Sequence, residues 1–144
     1  MGNISGKLSN MNARLLQGGS HVDERGQLLY NNGFDLEPVR RIYTIEHNNT
    51  SLVRGWMGHE IENRWFTVVS GGFQVKVKPV NNWQEPELDG NDAVVFILKA
   101  GALDVLHIPP GHIFCLQALE AHSKIVVMAD HPVGTTNDEH RYPV

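Results

Sequence analysis

Residues 54–78 read RGWMGHEIENRWFTVVSGGFQVKVK, and the second half of this stretch decides the fold class. Across residues 73–78, Phe73, Val75 and Val77 fall on one side and Gln74, Lys76 and Lys78 on the other. A period of two bounded by glycines is that of a strand with one face in a core and one in water. Immediately upstream, the apolar run 65–69 ends in Ser70-Gly71-Gly72, so the two segments predict a hairpin. The segment feeding it carries Arg54, Met57 and His59. Such a placement predicts polar groups projecting into an otherwise apolar cavity.

The same punctuation continues on both sides. Residues 39–47 (VRRIYTIEH) set Arg41, Tyr43 and Ile45 on one face of a strand, and Asn48-Asn49-Thr50 turns the chain toward Arg54. Residues 23–30 precede the turn Asn31-Asn32-Gly33, while 79–92 (PVNNWQEPELDGND) form a loop rich in Pro, Asn and Asp. Further strands are predicted over 93–100, 103–108, 112–119 and 124–129, with turns at Gly101 and Pro109-Pro110-Gly111. From Asp130 onward the sequence is a polar tail with two prolines. Residues 1–20 read as an arm or an added strand, and 21–144 as a single domain. Many short strands at close spacing, with no apolar helical period, predict an all-β sandwich or barrel. A jelly roll, two sheets folded face to face around an interior that can hold a ligand, suits candidate polar groups that lie within strands rather than loops.

Composition narrows the function classes. Hydrophobic residues make up 41% and charged residues 19%, so 144 residues suffice for one packed core. No apolar run reaches the ~18 residues of a membrane-spanning helix, and no secretory or myristoylation signal is read at the start. Cys115 is the single cysteine, which forbids an internal disulfide and points to a reducing cytoplasm. Without an activating neighbour it reads as a small core residue. A formal charge of -4 gives no basic footprint for nucleic acid.

Five short motifs recur in one order: DERG (23–26), RIY (41–43), RGWMGH (54–59), VVSGGFQV (68–75) and IPPGHIF (108–114). Together they resemble the cupin-fold sugar isomerases, which act on thymidine-diphosphate-linked 4-keto-6-deoxyhexoses. These enzymes include 3,4-ketoisomerases and the 3,5-epimerase of the rhamnose pathway. The resemblance spans residues 23–142, and the length is closer to the ketoisomerases. It implies a cupin, or double-stranded β-helix jelly roll, that binds a nucleotide sugar as a homodimer without a cofactor. It also implies that Arg25 contacts the nucleotide end of the ligand and that Arg54 lies in the site. The family's strand reads Arg-Gly-x-His-Ala-His or Arg-Gly-x-His. Here Met57 replaces the first histidine, which is the epimerase's base, and His59 keeps the second. The late-strand tyrosine of the epimerase has no counterpart in residues 124–128.

Moving a ketone between C4 and C3 begins with removal of a proton beside a carbonyl, a task suited to histidine near neutral pH. The resulting oxyanion needs preorganised donors. Residues 57 and 59 share a strand face, so His59 points where a two-histidine enzyme points both. His59 is therefore the expected base, with Arg54 and Tyr43 or Arg41 stabilising charge, and Met57 packing against the sugar. A tyrosine in this setting is more often a core residue with a satisfied hydroxyl, which is the competing reading of Tyr43. His107 and His112 flank the Pro-Pro-Gly turn, where a histidine lines the mouth or sits in a solvent-exposed loop; His112 is carried as substrate-binding. The metal signature of cupins would fall on Met57, His59, Arg64 and Phe114, of which one qualifies as a ligand, so no metal is expected. The competing reading is a cupin that lost its base and only binds a sugar or nucleotide sugar. A purely structural β-sandwich does not account for an arginine and a histidine on one short segment.

Overall fold

The computed structural model describes residues 12–144. The first eleven positions of the expected arm lie outside the described residues. Twelve strands follow in order: β1 (Arg14–Leu16), β2 (Gly19–Asp23), β3 (Gly26–Tyr30), β4 (Arg41–His47), β5 (Val53–His59), β6 (Arg64–Ser70), β7 (Gly72–Pro79), β8 (Val94–Lys99), β9 (Val105–Ile108), β10 (His112–Ala118), β11 (Ser123–Ala129) and β12 (Glu139–Arg141). Among the described residues the one helical element is a 3-10 turn at Gly90–Asp92, and no helix is long and apolar enough to cross a membrane.

Two antiparallel five-stranded sheets form, in the orders β1-β9-β6-β11-β4 and β12-β5-β10-β7-β8; β2 and β3 pair as a separate hairpin. This is the expected jelly roll. The expected hairpin is corrected, because β6 and β7 lie in different sheets. On the polar face of the alternation at 73–78, Lys78 is buried as well. The apolar half works as read: Phe73, Val75 and Val77 are buried in the core between the sheets. Phe66, Val68, Leu106, Ile125 and Val127 meet them from the first sheet, and Phe114 and Leu116 from the second. Phe66 and Phe114 join the two sheets edge-to-face at 5.2 Å.

Both outer faces are partly covered. Trp56, Ile113 and Cys115 lie under Trp83, Leu88 and Tyr142, the last donating from its hydroxyl to the Trp83 carbonyl at 2.6 Å. Trp65, Val105 and Met128 lie under Phe34 and Val39. Cys115 is therefore a core residue of the covered face, and burial pushes its thiol pKa up.

One irregularity sets the direction of β5. Met57 pairs with Phe114 and Arg54 with Leu116, so Gly55 and Trp56 together face Cys115. This β-bulge inserts one extra residue, which returns Arg54 to the inner face that Met57 and His59 share. Gly55 has φ 104°, and a Cβ there would sit 2.6 Å from the Phe114 carbonyl oxygen. Only glycine fits.

The sequence reading of a polar tail after Asp130 requires correction. Within it, β12 adds to the edge of the second sheet, pairing Glu139 with His59 and Arg141 with Met57. Charged residues at both inward positions hid this strand from an apolar-period search.

Candidate active site

Register places the site at one end of the sandwich. On the second sheet the row runs Glu139, His59, His112, Pro79 across β12, β5, β10 and β7. On the first sheet it runs Ile108, Arg64, Ala129, Arg41 across β9, β6, β11 and β4. Residues opposite one another on neighbouring strands project to the same face. The inward row of one sheet therefore brings two imidazoles toward the arginines of the other.

His59 is 3% exposed, and its Nδ1 stands 3.2 Å from Asp138 Oδ1. Facing a carboxylate, Nδ1 carries the ring proton and donates it, so Nε2 of the neutral ring is the acceptor. That Nε2 is buried and has no hydrogen-bond partner among the described residues. Asp138 is itself fixed, since Oδ2 accepts from the backbone N–H groups of Ile61 and Glu62, each at 2.8 Å. Burial works to raise the Asp138 pKa, but those two donors and His59 outweigh it and bring it down to about 2. For His59 the balance runs the other way. Burial, helped by the charge of Arg64, lowers its pKa against the opposing pull of Asp138 and Glu62. The ring is a neutral proton acceptor at pH 7.

Arg64 projects from the start of β6 and donates from Nη1 to Glu62 Oε1, and Thr136 donates its hydroxyl to Glu62 Oε2. Arg64 is 4% exposed, a buried cation near enough for its charge to act on His59. Arg41 lies over the Tyr43 ring at 4.7 Å, and Tyr43 packs against the central core. Met57 also packs there, pointing inward as its spacing from His59 requires. His112 donates from Nδ1 to the carbonyls of Pro109 (3.1 Å) and Pro110 (3.2 Å). It lines a cleft of about 290 Å3 together with Ala13, Val77 and Val94.

Two expected site residues lie elsewhere. Arg54 is at the far end of β5, five residues from His59 and thus roughly 15 Å away along the strand. It donates from Nε to Nε2 of the fully buried His47 at 3.2 Å, and the structure does not bring it to His59. Arg25 is at the tip of the β2–β3 hairpin, 83% exposed and paired with Asp23 at 2.7 Å. His107, read as a possible loop residue, is a strand residue stacked on Trp65 at 5.2 Å and bonded to Asn63 at 2.7 Å.

Donor atoms of His59, Glu62 and Asp138 lie within 4.8 Å of one another, the spacing of a metal site. The chemistry of the set does not fit a divalent cation. Both Asp138 oxygens and both Glu62 oxygens already accept hydrogen bonds, and the Arg64 guanidinium is in contact with Glu62. A cation entering there would displace those donors and meet a fixed positive charge.

Sequence reasoning missed Asp138 and Glu62, and took Arg64 only as an obstacle to metal. Asp138 and His59 are 79 positions apart, and no local pattern links them.

No protein-family model matches this chain, and no curated protein matches it. Solved structures do. A 3,4-ketoisomerase from Helicobacter canadensis superposes with TM-score 0.71 at 20% identity, covering 92% of this chain and 92% of that one. A sugar 3,4-ketoisomerase from Thermoanaerobacterium thermosaccharolyticum in complex with TDP gives 0.70 at 16%, covering 92% and 90%. The Mycobacterium tuberculosis rmlC epimerase gives 0.70 at 19%, covering 92% of this chain and 69% of that one. The fold is that of the cupins to which these enzymes belong.

Proposed function

We propose that this protein is a metal-independent isomerase of a dTDP-linked 4-keto-6-deoxy sugar, moving the carbonyl between C4 and C3 with His59 as the base. The observation that carries this reading is the His59–Asp138 pair. It leaves a neutral, buried and unpartnered Nε2 inside a fold shared with 3,4-ketoisomerases. Nε2 takes the proton from C3, the electron pair of that bond forms the C3–C4 double bond, and negative charge develops on O4. Arg64 offers the guanidinium that such an oxyanion needs, and Asp138 stabilises the imidazolium formed. On this reading Arg41, stacked over the Tyr43 ring, offers donors to the sugar's other oxygens, and Met57 offers an apolar wall that cannot itself take a proton at neutral pH.

The test is exchange at C3 of TDP-4-keto-6-deoxyglucose in deuterated water. Wild-type protein is expected to exchange that proton and to form the 3-keto isomer; His59→Gln is expected to lose exchange by about 10²–10⁴-fold. Undiminished exchange in the variant would remove His59 from the role. Met57, standing where the family carries its first histidine, favours one second reading: a cupin that binds the nucleotide sugar without turning it over. That reading expects thermal stabilisation by TDP with no exchange in the wild type.

The hairpin supports a homodimer. Leu28 and Tyr30 share one of its faces and are 59% and 40% exposed, while β2 and β3 pair only with each other among the described residues. A two-stranded hairpin is marginal in water, so this face calls for a cover, and a second copy provides one. In such a dimer Arg25 is free to meet the nucleotide end of a ligand held by the neighbouring copy. Sedimentation is expected to give a dimer for the wild type and a monomer for Leu28→Asp; a monomeric wild type removes this part of the proposal.

A further inference from the structure

We infer that His140 is a positioning residue for the proposed reaction: its ring, clasped on the outer face of β12, keeps that strand where Asp138 can aim His59. The inference rests on the reading of His59 as the base and concerns how the partner of that base is held in place.

The need for a clasp starts with β12 itself. It has three residues, one neighbouring strand, and two inward side chains, Glu139 and Arg141, that are both exposed. An edge strand with no buried apolar side chain on its inner face belongs to the least stable part of a fold. Yet Asp138 immediately precedes it, and the contact of Asp138 with His59 Nδ1 is 3.2 Å. A drift of about half an ångström would take that contact out of hydrogen-bond range. The backbone donors of Ile61 and Glu62 secure only Oδ2, so the direction of Oδ1 follows the backbone that β12 continues.

The outer face supplies what the inner face lacks. Residues 140 and 142 share it, by the period of two. The His140 ring stacks on Trp83 with centroids 4.5 Å apart, and the Tyr142 ring lies nearly parallel to it at 6.3 Å. His140 Nε2 donates to Glu60 Oε2 at 2.8 Å. Tyr142 adds its hydroxyl bond to the Trp83 carbonyl and a backbone bond to the carbonyl of Trp56. The same two chain segments are thus tied twice: His59 to Asp138 on the inner side, and Glu60 to His140 on the outer side.

Trp83 is itself anchored, although it belongs to the long loop after β7. It packs against the cluster of Trp56, Ile113 and Cys115. Ahead of it, Val80 donates to the Gly111 carbonyl and Gly111 donates to that of His59, each at 2.9 Å. Beyond it, the buried Lys78 ammonium donates to the Asp89 carbonyl at 2.8 Å and meets Asp92 at 2.9 Å. A loop fixed on both sides of Trp83, and bonded through Gly111 to the backbone of His59, therefore presents the indole on which His140 rests. His140 faces away from the inner space, so its effect on the reaction runs through Asp138.

Two variants and two readouts test this role. His140→Ala removes the ring, whereas His140→Phe keeps a ring for Trp83 and gives up the Glu60 bond. In nitrogen NMR of the protein alone, wild-type His59 is expected to show the single tautomer protonated at Nδ1. His140→Ala is expected to show a mixture of both tautomers, and His140→Phe the wild-type pattern. In C3 exchange of TDP-4-keto-6-deoxyglucose in deuterated water, His140→Ala is expected to lower kcat by about 10²-fold. KM should stay within about threefold of wild type, because no group that touches the substrate is altered. His140→Phe should recover kcat to within about threefold of wild type, since the stack is retained. A wild-type tautomer in His140→Ala, with or without a lowered kcat, would overturn the clasp, and so would a loss that His140→Phe does not repair. A wild type without C3 exchange would remove the ketoisomerase reading, while the tautomer measurement would still decide the clasp.

Discussion

At the scale of single residues, the proton on His59 is directed by one carboxylate. Asp138 accepts from Nδ1 and is oriented by two backbone donors, so the ring cannot turn over without breaking a buried set of bonds. In Asp138→Asn the amide can donate to Nδ1 instead of accepting from it, which moves the ring proton to Nε2 and removes the basic lone pair. C3 exchange is expected to fall by about 10²–10⁴-fold with the fold retained, and nitrogen NMR of His59 should report the other tautomer. Because burial and Arg64 hold the His59 pKa below its ordinary 6.5, the neutral form persists into mildly acid solution. The acid limb of the pH–rate profile is therefore expected below pH 6.5. At this scale the sequence was only half informative. His59 could be picked from its spacing to Met57 and Arg54, but Asp138 gave no sign in a stretch read as polar tail.

At the scale of elements, β5 does what a regular strand could not. Arg54 and Met57 are three positions apart and would face opposite sides of an ideal strand; the bulge at Gly55–Trp56 aligns them. Gly55→Ala places a Cβ against the Phe114 carbonyl and demands a positive φ, for a cost of at least ~2 kcal/mol. A lowered melting temperature is expected, with C3 exchange falling in the material that still folds because His59 shifts with its strand. A Tm equal to that of wild type would show that the bulge relaxes freely. The alternation in β7 was legible because its two faces differ in chemistry, Phe-Val-Val against Gln-Lys-Lys. In β12 both inward residues are charged, Glu139 and Arg141, bonded to each other at 2.6 Å. Such a strand lies beyond the reach of hydrophobic periodicity.

At the scale of the whole molecule, acid should be the weak point. His47, His59 and His107 are all held below their ordinary pKa, chiefly by burial, with Arg54, Arg64 and Arg14 adding repulsion in turn. The unfolded chain binds protons at these rings near pH 6.5 and the folded chain does so only at lower pH. Below 6.5 the unfolded state takes up more protons, so stability falls as pH falls. Asp138 acts later. Its pKa drops from 3.8 to about 2 on folding, contributing about 2 kcal/mol that is intact at neutral pH and lost as pH falls from 3.8 through about 2. Calorimetry is expected to show the melting temperature declining below pH 6.5, with a shallower slope in His107→Gln. A flat profile from pH 7 to 5 would contradict this account. The jelly roll itself was legible from strand spacing and turn residues, since these are local signals repeated along the chain. Which strands become neighbours was not, because in both five-stranded sheets most pairs join segments distant in sequence.

The 79-residue separation between His59 and Asp138 has a consequence for how the molecule comes into being. Joining two such distant points closes a very large loop, and the entropy lost can be recovered only once the strands between them have docked. A half-assembled intermediate therefore has strands but no working imidazole. Recovery of activity after dilution from denaturant should coincide with the last step of refolding rather than with the first appearance of β structure.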